Sequence, residues 1–125
     1  MTRKTFLTCA SAVGLAVGLF AIVAPAAFLA GKGVVHDDAA AVWMREVGVL
    51  ITALSVLDLL VRAHPSSPTL RAVLLVNALV HVGLFPVELV AHARGVIPLV
   101  SGVVPNSILH VLLAGGALWF WRRER

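Results

Sequence analysis

Asn77, His81, Glu88 and His92 are separated by four, seven and four residues. On a helix turning about 100° per residue, that spacing sets all four within about 60° of one another. The segment holding them, residues 70–91, is otherwise almost wholly apolar. An amide, two imidazoles and a carboxyl on one stripe can donate, accept and exchange protons. In hydrocarbon such groups are costly, and they turn toward a bundle interior, a cavity or a partner. His81 and Glu88 therefore qualify as hydrogen-bonding groups for a ligand. They also qualify as a general acid or base toward a lipophilic substrate.

Depth brings in further residues. A helix starting near 69 puts His81 about 11 residues in, and a helix ending near 121 puts His110 about 11 residues from its end. Both imidazoles then sit near the middle of a bilayer, with Thr52 at a similar level. Arg45, Glu46, Glu88, His92 and Asn106 lie nearer one face. Arg45 and Glu88 form the expected ion pair, because either charge alone would be expensive there. Asn77, Asp58 and Arg62 lie nearer the other face, and the four-residue spacing of Asp58 and Arg62 suits a local pair.

Two readings of this cluster stand side by side. In one, the polar groups only hold helices together, with Asn106 capping a helix and His92 reaching for water. In the other, Arg45, Thr52, Asn77, His81, Glu88, His92, Asn106 and His110 line an outward-facing pocket. That pocket would take a small lipophilic or amphipathic ligand, or a partner subunit. Two imidazoles at one depth would also suit haem ligated from both sides, or a quinone site, and these are kept as alternatives. No cofactor and no metal is the primary expectation, because neither histidine belongs to a helix-borne pair with ligand spacing. G-x-S-x-G, H-E-x-x-H, phosphate-loop and dinucleotide signatures are absent, so no catalytic residue is assigned. The non-enzymatic pocket leads; a membrane redox or lipid-modifying enzyme and a purely structural subunit follow.

The elements that must position these groups are read from the apolar runs. The chain has 125 residues, 60% hydrophobic and only 13% charged, with a mean hydropathy of +0.99. Soluble domains are nearer half apolar and about one quarter charged. The composition predicts an all-α integral membrane protein, a four-helix transmembrane bundle forming a single domain over 1–125. The helices are expected at about 5–29, 39–62, 69–91 and 97–121, the last regular either throughout or only from 105. Asp37 or Asp38 can cap the second helix, and Ser67 followed by Pro68 can start the third. Pro86 should kink the third helix, since it supplies no N–H for the Val82 carbonyl. The segment 96–104 reads either as the start of the fourth helix or as a surface loop.

A basic isoelectric point of 10.7 does not imply nucleic acid. The basic residues sit at segment ends and form no stripe with interleaved aromatics. Arg3, Lys4, Arg62, Arg71, Arg122, Arg123 and Arg125 fall on one side, and Lys32, Arg45 and Arg94 on the other. That asymmetry predicts a multi-pass protein with both termini cytoplasmic. The first run exceeds a signal-peptide core and reads as a retained helix. Gly14 and Gly18 make a G-x-x-x-G that permits a homodimer. Cys9 is the single cysteine and reads as a small buried residue.

The second-helix run Arg45-Glu46-Val47-Gly48-Val49-Leu50, an Arg-x-x-Gly opening on a long apolar helix, is followed by a short turn and a polar third helix. From Ala39 onward this layout resembles the DoxX-like group of small four-helix bacterial membrane proteins. The resemblance implies a four-helix bundle in a bacterial inner membrane, among membrane lipids and near quinones or redox partners. It carries over no catalytic residue.

Overall fold

The computed structural model describes residues 1–124. Within them the protein is all-helical, with five helices: α1 (Arg3–Val23), α2 (Pro25–Ala30), α3 (Asp38–Val61), α4 (Pro68–Ala93) and α5 (Val100–Arg123). Three of these, α1, α4 and α5, are long and apolar enough to cross a membrane. The α3 helix is of similar length and carries Asp38, Arg45, Glu46 and Asp58.

The first expected helix is divided in two. Ala24 leaves the helical region at φ −131° and ψ 57°. Its neighbour is the reason: the ring of a following proline disfavours the α conformation. Pro25 then serves as the first residue of α2, where a missing N–H costs nothing. The count of four helices is thereby corrected to five.

Local chemistry sets the other ends. Thr2 caps α1 by accepting from the Thr5 N–H at 3.1 Å. Asp37 caps α3 through the Ala40 N–H at 2.8 Å, and Ser67 caps α4 through the Leu70 N–H at 3.1 Å. After α2 and after α4 the chain turns on a glycine with positive φ, Gly33 at 76° and Gly95 at 74°. In each case two backbone bonds close the helix end: Gly33 N–H to Ala30 and Val34 N–H to Leu29, then Gly95 N–H to His92 and Val96 N–H to Ala91. Glycine suits both sites because a Cβ there would clash with its own carbonyl. Residues 97–99 are not helical, and α5 begins at Val100, so Pro105 lies inside that helix instead of starting it.

The chain forms two compact units, Met1–Ala63 and His64–Arg125. In the first unit α1 packs against α3 in antiparallel fashion, with α2 against the pair. The contact is made by small residues. A Cβ on Gly18 would meet the Gly48 carbonyl at 2.9 Å, and one on Gly48 would meet the Gly18 carbonyl at 2.7 Å. A Cβ on Gly14 would collide with Ser55 Oγ. The G-x-x-x-G face that would permit a homodimer packs against α3 of the same chain. Cys9 is exposed, not buried. Asp58 is buried, while the Arg62 guanidinium donates to the Leu59 carbonyl at the end of α3.

In the second unit α4 and α5 form an antiparallel hairpin. Leu70, Leu74 and Ala78 are buried on α4. Val103, Ser107, His110, Ala114, Ala117 and Phe120 are buried on α5 at steps of three and four, the spacing of one helix face.

Candidate functional site

The polar centre of the second unit is a chain of three side chains. His81 lies midway along α4 and His110 midway along α5. Their Nδ1 atoms are 2.9 Å apart, within hydrogen-bond distance. The rings are tilted by 40° with centroids 5.2 Å apart. Asn106, one turn before His110 on α5, places its Nδ2 3.1 Å from His110 Nε2. Of the two readings of Asn106 from sequence, a helix cap and a pocket residue, the cap would place it in the first turn of α5. Because α5 starts at Val100, it lies in the second turn, and its amide serves His110 instead.

The chain couples its proton positions. With the Asn106 amide donating, His110 Nε2 accepts, so the His110 proton sits on Nδ1 and is donated to Nδ1 of His81. That leaves the His81 proton on Nε2, available to a ligand as a donor. Rotating the amide by half a turn reverses every member, and His81 Nε2 becomes an acceptor. The site can thus present either polarity at one atom without acquiring charge. A metal ion held by both Nδ1 atoms would require them about 3.3 Å or more apart, given bonds near 2.0 Å in tetrahedral geometry. Among the described residues, no group of three or more His, Cys, Asp and Glu has the arrangement of a metal site.

Ser107 lies three residues before His110 on α5 and offers a hydroxyl that sequence alone pairs with no base. It is 8% exposed, and its Oγ is buried without a hydrogen-bond partner among the described residues. A buried hydroxyl in that state costs about 1–3 kcal/mol. Its three-residue offset from His110 puts both on one face of α5, and that offset was the available signal.

The remaining stripe residues fall elsewhere on α4. Asn77 is half-buried and donates from Nδ2 to the Val73 carbonyl at 3.1 Å. Glu88 is buried. His92 Nδ1 donates to the Ile97 carbonyl at 2.7 Å and ties down the turn between α4 and α5. The α4 helix runs through Pro86 without interruption.

Arg45 and Thr52 lie in the first unit. The Thr52 hydroxyl donates to the Gly48 carbonyl at 2.8 Å, next to Gly18. Arg45 is exposed and lines an open concavity of about 550 Å³ beside the Ala24 break, with His36 and Asp38. The structure brings His81, His110 and Asn106 into one bonded set, leaves Asn77 and His92 on backbone carbonyls, and assigns Thr52 to helix packing.

No protein family, curated protein or solved structure matches the chain. The DoxX-like resemblance accordingly rests on the Arg45–Leu50 run and the helical layout alone.

Proposed function

We propose that the α4–α5 hairpin is a binding site, within the membrane, for a small lipophilic molecule carrying a polar head group, and that the protein is not an enzyme. The observation that carries this reading is the Asn106–His110–His81 hydrogen-bond chain, set midway along two apolar helices. The ligand would hydrogen-bond to His81 Nε2 and to the Ser107 hydroxyl, with Asn106 and His110 fixing the imidazole polarity. A carbonyl or hydroxyl on an apolar body fits such a site, because neither brings a charge into hydrocarbon. Haem and quinone remain the cofactor alternatives, and a partner subunit the alternative occupant.

The proposed setting is a bacterial inner membrane, crossed four times by α1 with α2, α3, α4 and α5, with both termini cytoplasmic. The distribution of Lys and Arg supports that orientation. The test is gentle detergent purification, an absorption spectrum, and mass spectrometry of whatever co-purifies. A stoichiometric neutral lipophile that is lost in His81→Ala and Ser107→Ala variants supports the site. Recovery of the same molecule from both variants at wild-type yield removes it.

A second reading, acid–base chemistry on a lipophilic substrate, draws on Glu88, which is buried on the same stripe of α4 as His81. It predicts turnover of a component of a lipid extract that stops in Glu88→Gln. An extract left unchanged by the wild-type protein counts against it.

A further inference from the structure

The first unit holds a groove of its own. It is the open concavity of about 550 Å³ beside the Ala24 break, and small-molecule sites occupy about 300–1,000 Å³. One wall is residues 23–27, where α1 gives way to α2, and the other is the amino-terminal part of α3. Asp38, Ala41, Val42 and Arg45 build the α3 wall. Their offsets of three, four and seven residues set all four on one face of the helix. The groove therefore has a carboxylate at one end and a guanidinium rooted about 10 Å further along the axis. Alanine, valine and proline side chains lie between and opposite them.

Neither charge is neutralised within the protein. Asp37 caps α3, which leaves the Asp38 carboxylate outside the capping bond. Among the described residues the side chains of His36, Asp38 and Arg45 have no hydrogen bond and no ion pair, and all three are exposed. The groove also lies at the edge of the hydrocarbon. Val23 ends α1, a helix long and apolar enough to cross a membrane, and a helix of that length spans about 30 Å. Trp43, between Asp38 and Arg45 in sequence, is 67% exposed, and indoles favour the headgroup level.

We infer that this groove binds the headgroup of a zwitterionic aminophospholipid from the surrounding leaflet, with Arg45 on the phosphate and Asp38 on the primary ammonium. The order of the charges carries the assignment. Asp38 opens α3 and Arg45 lies two turns further into the helix. In such a lipid the ammonium is the terminal group, and the phosphate stands between it and the acyl chains. The carboxylate disfavours an anionic headgroup that brings no positive group. A quaternary ammonium has no N–H to give that carboxylate, and no Phe, Tyr or Trp among the described residues lines the groove to cage it. The apolar wall covers the glycerol end. The site makes no use of the Asn106–His110–His81 chain.

The test uses the full chain, purified and stripped of lipid in nonionic detergent, with native mass spectrometry reading bound lipid. Phosphatidylethanolamine, phosphatidylcholine and phosphatidylglycerol of identical acyl chains are the probes. The wild-type protein is expected to retain phosphatidylethanolamine about fivefold over each of the others. Asp38→Asn should bring it down to the level of phosphatidylcholine, whereas Arg45→Gln should lower both lipids about fivefold. Glu46→Gln and Arg94→Gln make the same changes of net charge outside the groove, and should keep the wild-type pattern. Equal retention of phosphatidylethanolamine and phosphatidylcholine by the wild-type protein overturns the inference. So does a preference for phosphatidylglycerol, or a Glu46→Gln protein that behaves as Asp38→Asn, since net charge would then explain the binding. Displacement of the lipid by phosphoethanolamine at equal concentration also overturns it, because the site would then be one for a soluble zwitterion.

Discussion

The Nδ1 atoms of His81 and His110 face each other across α4 and α5 at 2.9 Å. A bond of this kind joins two apolar helices at mid-length and fixes their rotation about their own axes. Only one rotational setting of each helix brings the two ring nitrogens together. Asn106 extends the bond along α5 and sets which nitrogen carries each proton. With both rings neutral, the three groups satisfy one another without a charge, the form in which a polar group is least costly in hydrocarbon.

The histidine bond should be measurable as a coupling. In a double-mutant cycle of His81→Ala and His110→Ala, an interaction energy of about 0.5–2 kcal/mol is expected, as for interhelical hydrogen bonds in membranes. Reversible unfolding in mixed micelles provides the readout. Strict additivity of the two substitutions would mean that the imidazoles meet without holding the helices.

The small-residue contact of the first unit predicts a contrast among glycines. Gly48→Ala forces a methyl to within 2.7 Å of the Gly18 carbonyl, and overpacking of this kind costs about 1–3 kcal/mol. Gly83→Ala and Gly115→Ala meet nothing within 4 Å, and should be neutral or stabilising by up to about 1 kcal/mol through helix propensity. Thermal unfolding of the three variants ranks them. A Gly48→Ala protein as stable as Gly115→Ala would contradict the close approach of α1 and α3.

The α4–α5 turn depends on Gly95 and His92 together. Gly95→Ala places an L side chain at φ 74°, at a cost of about 1–2 kcal/mol. His92→Ala removes the donor to Ile97 and should speed hydrogen exchange of the Val96 and Ile97 amides while leaving mid-helix amides protected. Unchanged exchange at both amides would show that the backbone bonds hold the turn unaided.

The break at Ala24 is a prediction about one residue. Pro25→Ala relieves the steric bar on the preceding residue, so Ala24 should move toward helical dihedral angles. Carbon chemical shifts of residues 22–26 report this directly. Shifts at Ala24 that remain non-helical would place the cause in packing of α2 against its neighbours.

Membrane insertion can be read from the single thiol. Cys9 is exposed on α1, a helix long and apolar enough to cross a membrane. A membrane-impermeant maleimide should leave it unlabelled in vesicles from either side and label it once detergent replaces the lipid. Full labelling in intact vesicles would show that this stretch of α1 is in water.

Much of this architecture is a local property of the chain. The apolar runs, the Asp37 and Ser67 caps, Pro68 at the head of α4 and the Trp-Arg end of α5 are each decided within a few residues, so they were legible in order. The Ala24 break is equally local, because Pro25 constrains the residue before it, yet the unbroken apolar run across 5–29 reads as one helix. Depth, too, is arithmetic along a helix, and it pointed to His81 and His110 together. What pattern alone did not supply is rotation and pairing. Gly14 and Gly18 offered a small face to any neighbour, and only packing assigned it to Gly48 and Ser55 of α3. Asn106 fits a cap or a pocket residue until the true start of α5 turns it toward His110. Ser107 offers a hydroxyl whose partner sequence does not assign: a serine in an apolar helix usually bonds back to its own backbone, and the lack of that bond exists only in three dimensions. Helices form from contacts close in sequence, whereas the partner of each side chain depends on how two axes are rotated and set against each other. No run of neighbouring residues encodes that choice.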